Sequence, residues 1–414
     1  LAKTKLITSS NVSNTVSADE YHHIVGIIIS LTPNTIESRT QITARQGGTL
    51  SKLAVNITAS TTGVVDFRSS INGANGNQVV SYASGETGIK EDLLNTDTVT
   101  AGDEINHFVD WISGTSVTLS NLQLVFDSST NTYQWFGSVG IPTSQVDNLI
   151  RYYHFSTITA QATETNAQTE MLTAGTGKHL FVNVTANTTT TANSTFRTRK
   201  GAVNGNCNVV YAAAETGVKE DTSNTDTIAD GNLYNFQLDV ETNAGSTSIT
   251  FTTISIGFET TNSQYQETVV SNGVAIAFNL TRYINLAGSP FSNATETNIQ
   301  TTSRTGNTDL KELLTEVSAN TITTSATTID YRINVGGNHL QISYAAAETG
   351  TKSVTGTIAI VDGDEVNYRM ITPNTSGSIT FQQMSSLYTP TVSGPTESAG
   401  TFATEPMPPT AMVV

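Results

Sequence analysis

One block of sequence is written three times, and its spacing limits what the chain can fold into. Tyr82-Ala-Ser-Gly-Glu-Thr-Gly-Ile-Lys90 returns as Tyr211-Ala-Ala-Ala-Glu-Thr-Gly-Val-Lys219 and again as Tyr344-Ala-Ala-Ala-Glu-Thr-Gly-Thr-Lys352. The tyrosines, at 82, 211 and 344, stand 129 and 133 residues apart. A period of that length is a whole domain, not a solenoid unit. The 414 residues therefore divide into three domains, each long enough to enclose its own core. The division is an N-terminal arm over 1–20, a first repeat over 21–128, a second over 129–260 and a third over 261–390, the last two each beginning with a short connector. A Pro/Thr-rich tail over 391–414 follows, and both ends are read as extended arms.

Within a repeat the periodicity is that of β-strands. In 52–58, Leu53, Val55 and Ile57 alternate with Ala54, Asn56 and Thr58, and 179–185 follows the same scheme with Asn183 in place of Asn56. Such alternation predicts a strand with one buried and one wet face. The second repeat offers eight runs of this kind, at 150–158, 164–171, 180–186, 195–200, 209–211, 218–220, 233–240 and 248–259, separated by Gly, Asn and Asp clusters. No longer run has helical periodicity. The fold class is all-β: three tandem antiparallel jelly-roll or β-sandwich domains. An immunoglobulin sandwich fits less well, because no repeat holds a Cys-Trp-Cys core and each exceeds about 100 residues.

The order Glu164-Thr-Asn-Ala-Gln168, Leu180-Phe-Val-Asn-Val-Thr185, Asn224-Thr-Asp-Thr227, Asp230-Gly-Asn-Leu-Tyr-Asn235 and Ser248-Ile-Thr-Phe251 resembles jelly-roll modules of the tumour-necrosis-factor and complement-like type. The resemblance implies trimer-forming or shell-forming modules of viral or extracellular structural proteins, and no particular chemistry. Repeat three departs from it, with Ser353-Val-Thr-Gly-Thr357 where the others carry Asn-Thr-Asp-Thr.

Charge and composition narrow the function classes. With 19 basic and 35 acidic residues the net charge is −16, which argues against a nucleic-acid partner. The longest apolar run, 24–31, is too short to span a bilayer. A start at Leu1 instead of methionine fits a processed N-terminus. One cysteine, Cys207, excludes a disulfide framework and shares a strand face with Val209 and Tyr211, so it reads as a small buried thiol.

The repeat tests each suspicious residue against its counterparts. His107 stands where the other repeats place Phe236 and Tyr368, so a packed ring is wanted there, and His22 and His23 are strand neighbours facing opposite ways, which excludes a shared transition metal. Glu86, Glu215 and Glu348 recur in all three domains, whereas a glycosidase needs one facing pair, so each reads as a turn residue bonding locally beside a glycine of positive φ. Ala174-Gly-Thr-Gly-Lys178 lacks the first glycine and the final Ser or Thr of a phosphate loop. No catalytic residue and no cofactor follow; the chain reads as non-enzymatic. Oxygen-rich loops make Asp92, Asp97, Asp103 and Glu104 candidate calcium ligands. Among several Asn-x-Ser/Thr sites, Asn56, Asn183 and Asn193 are candidates for glycosylation in an exported chain.

These readings point to a structural protein that forms a homo-oligomer or polymer, first as a virion component and alternatively as an extracellular filament or surface layer. Three modules in one chain also permit a pseudo-threefold arrangement. A glycan-binding adhesin comes third, with Trp111, Tyr133, Trp135 and Tyr265 as sugar platforms.

Overall fold

The computed structural model describes residues 3–391 apart from short stretches, the longest being 15–18, 28–34, 156–159, 242–246, 271–274 and 287–291. The tail at 392–414 lies outside the described residues. Each repeat is a sandwich of two antiparallel sheets. In the second domain one sheet runs Tyr133–Val146, Ser248–Thr260, Gly175–Asn187, Gly217–Ile228, and the other Leu149–Tyr153, Leu233–Val240, Ser194–Lys200, Val203–Tyr211. Numbered along the chain, the eight main strands lie in the order 1-8-3-6 and 2-7-4-5, the jelly-roll order. The first and third domains repeat it. Among the described residues no helix is long and apolar enough to cross a membrane.

The first strand of each domain comes from sequence that reads as arm or connector. Lys3–Ser9 pairs with Val117–Ser128 through seven residues in register, so this stretch of the N-terminal segment belongs to the first sandwich instead of reaching outward. Tyr133–Val146 and Tyr265–Val270 take the same place in the second and third domains. Tyr133–Val146 and Tyr265–Val270 each border a single neighbour, and Lys3–Ser9 has beyond its main partner only the two-residue strand Gly26–Ile27, so these strands need less apolar alternation than a central strand.

The thrice-written block builds the corner between the fifth and sixth strands. Tyr211 is fully buried, its hydroxyl 2.9 Å from both Val182 O and Gly217 O, while Glu215 accepts the Ala212 N–H and Lys219 Nζ at 2.8 and 2.6 Å. Lys219 also donates to Val210 O and lies 5.0 Å above the Tyr211 ring. Tyr82/Glu86/Lys90 and Tyr344/Glu348/Lys352 repeat each contact. Gly88, Gly217 and Gly350, at φ of 96°, 100° and 101°, provide the left-handed turn that brings the lysine back. The lysine bond holds all three glutamates below the usual carboxylate range.

Candidate functional site

The polar strand face that alternation assigns to water is covered instead. Asn56 is 3% and Asn183 6% exposed. Asn56 Nδ2 in domain 1 donates to Thr297 O in domain 3 at 3.2 Å; Asn183 Nδ2 in domain 2 donates to Ser38 O in domain 1 at 2.8 Å; Gln382 Nε2 in domain 3 donates to Thr165 O in domain 2. The three acceptors are the middle residues of equivalent 3-10 turns, Glu37–Arg39, Glu164–Asn166 and Glu296–Asn298. Domain 1 thus sits on domain 3, domain 2 on domain 1 and domain 3 on domain 2. Three head-to-tail contacts of one sense close a ring with pseudo-threefold symmetry.

Each turn is fastened to its own domain by the glutamate that opens it. Ser70 Oγ donates to Glu37 at 2.7 Å, Arg199 makes two bonds of 2.8 Å to Glu164, and Arg332 makes bonds of 2.9 and 3.1 Å to Glu296. The forked arginine pairs hold both carboxylate oxygens and so fix the carbonyl that the neighbour reads. Further along the seams, Gln123 donates to Thr302 O at 2.8 Å. Gln383 exchanges two bonds with the backbone of Glu170, and Gln266 bonds both Glu170 O and the Leu172 N–H. Arg45–Glu220 and Lys52–Asp362 are cross-seam ion pairs, and Leu172, Leu314 and Leu387 form a small apolar cluster between domains 2 and 3.

Three of the four candidate calcium ligands are engaged by groups of their own domain. Asp92 accepts N–H groups of Val79, Leu94 and Asn95, and Asp97 accepts from Ser69, Asn77 and Gln78, both fastening bulges inside the domain. Asp103 accepts from Thr100 and Asn72, and Glu104 is exposed on the adjoining strand. Among the described residues no three His, Cys, Asp or Glu side chains are grouped closely enough to hold a metal ion. Of the sequon asparagines, Asn193 is exposed in a loop, whereas a glycan on Asn56 or Asn183 would have to force a pair of domains apart.

The aromatic platforms are interior. Tyr133 and Trp135 bury themselves in the core of domain 1, with Trp135 edge-on to Phe126 at 4.8 Å, Tyr265 stacks on Tyr388, and Trp111 lies partly buried on the domain 1 core. Cys207 is fully buried, and burial raises its thiol pKa. His23, His107 and His154 are buried, and desolvation lowers each to about 3. His107 pairs in register with His22, whose ring meets Glu20 at 2.8 Å.

Sequence reasoning missed the seam residues, although the chain carries a signal for them. Ile36-Glu-Ser-Arg-Thr-Gln41, Thr163-Glu-Thr-Asn-Ala-Gln168 and Thr295-Glu-Thr-Asn-Ile-Gln300 recur 127 and 132 residues apart, close to the spacing of the tyrosine block. The sequence matches no protein-family model and no curated protein.

Proposed function

We propose that this chain is a structural protein in which three jelly-roll modules, similar to those of the tumour-necrosis-factor and complement-like type, are fused into one pseudo-trimer that serves as a component of a virus particle. The observation that carries this reading is the repeated clasp, in which each domain bonds the Glu-Ser/Thr turn of the next. A module that meets its siblings this way needs two partners. Joining three in one chain supplies them at high effective concentration, so the ring forms without depending on protein concentration. The polar faces are consumed inside the ring. The outer strands remain for contacts with further copies or other shell proteins, with Leu94 91% and Val203 59% exposed.

Negative-stain microscopy of native material, with sedimentation of the isolated chain beside it, tests the proposal. Closed particles carrying this chain in shell or tail are expected. Long helical polymers would make it a filament subunit instead, and a chain that never associates would refute the assembly reading.

A further inference from the structure

The three seams share the turn that accepts and the head-to-tail sense, and differ in charge. Where domain 1 meets domain 3, Lys52 reaches Asp362 at 3.2 Å; where domain 2 meets domain 1, Arg45 pairs with Glu220. The repeat places Glu312 of domain 3 at the position of Lys52, since the leucines that follow them, Leu313 and Leu53, pair with equivalent residues, Val354 and Asp92, although the bulge itself falls on Lys311 in domain 3. Asp230 of domain 2 likewise stands where Asp362 does, one residue before the turn glycine, Gly231 or Gly363. The attractive pair of one seam is therefore replaced by two carboxyls in another. Leu172 stands in the place of Arg45, so the second cation is gone as well.

Two more carboxyls line the same seam. Burial, then Glu312 and Asp230, raise the pKa of Glu170; burial and then Glu170 raise that of Glu316; burial and then Asp230 raise that of Glu312. A Ser353 hydrogen bond opposes the shift at Glu312. The strand Ser378–Pro390 contributes no charged side chain, Lys311 pairs with Asp309 at 2.8 Å, and Lys352 pairs with Glu348 at 2.7 Å. Among the described residues none of Glu170, Asp230, Glu312 and Glu316 has an ion-pair partner. At the seam of domains 1 and 3, Glu365 also faces Glu91, but Lys52–Asp362 bridges the same contact.

We propose that the seam between domains 2 and 3 is a pH-operated gate, shut while Glu170, Glu312 and Glu316 hold protons and loosened when they ionise, with the other two seams kept closed by their ion pairs. A carboxyl whose closed-state pKa is raised takes up protons on closing. Closing is therefore favoured below the ordinary carboxylate range and loses that advantage as pH rises through the raised values. The gate is tightest at and below the ordinary carboxylate range and weakest at neutral pH and above.

Two backbone N–H groups report on it. Glu170 N donates to Gln383 Oε1 at 2.9 Å and Leu172 N to Gln266 Oε1 at 2.8 Å, and both acceptors belong to domain 3. Hydrogen–deuterium exchange of the intact chain, read on peptides covering 169–172 and corrected for the intrinsic rate, should show protection falling about tenfold from pH 5 to pH 8. Peptides from the other two seams should change less. Glu312→Lys restores the charge that Lys52 supplies, and should raise protection at pH 8 about tenfold and flatten the profile. Glu316→Gln should partly flatten it without adding charge. A flat wild-type profile overturns the gate whatever the variants do, and so does an equal loss of protection at all three seams.

Discussion

His107 occupies a slot that the other two domains fill with Phe236 and Tyr368, and neither of its ring nitrogens has a hydrogen-bond partner. A buried imidazole without partners costs about 1–3 kcal/mol, so His107→Phe should stabilise the protein by an amount of that order in chemical denaturation. The pH dependence has a definite sign. His23, His107 and His154 are pushed from 6.5 down to about 3, so the stability they permit is whole above 6.5 and is lost as pH falls toward 3. The thermal midpoint should drop across that window, and His107→Phe should blunt the drop. Ala214 and Ala347, at φ of 59° and 58°, stand where domain 1 has Gly85 at 79°. Relief of left-handed strain outweighs the added chain entropy, and Ala214→Gly should gain up to about 1 kcal/mol. That His107 is a packed ring was legible because three repeats could be compared. The burial of Asn56 and Asn183 was not, since alternation marks a polar face without saying that a sibling domain covers it.

Among the elements, the paired bulges explain why the third repeat departs from the other two. Asp97 and Asp226, each 3% exposed, sit beneath Gly76 and Gly205, where an added Cβ would lie 2.7 and 2.6 Å from the carboxylate. Register puts Ile358 at the aspartate position of domain 3 and Val354 at that of Asp92 and Asp221; both pack on the core. The facing hairpin is tighter there too, with Asn338 and Gln341 paired where domain 2 spreads Asn204 to Asn208. Aspartate, glycine and extra residue form one device, lost together. Gly205→Ala should therefore cost about 1–3 kcal/mol, measured as a lower denaturant midpoint with unchanged slope. The central strands could be read from the sequence because both neighbours and the core impose their period. The first strand of each domain could not: Tyr133–Val146 holds Gly137, Gly140 and Pro142 and pairs along one edge.

At the scale of the molecule, the three-domain count follows from the repeat, and the ring follows from contacts that only the folded chain displays. The clasp at Glu296 is buried with Arg332, the two being 8% and 6% exposed. Arg332→Ala leaves an unpaired buried carboxylate and should destabilise by about 3–5 kcal/mol. It should also raise protease sensitivity where domains 1 and 3 meet. Small-angle X-ray scattering of the isolated chain tests ring closure most directly. A 43.9 kDa monomer with a radius of gyration of about 22 Å, the value for one compact body of this length, is what a closed ring predicts. A radius near about 34 Å, as for three such domains strung end to end, or a trimer that completes its seams between chains, would contradict it.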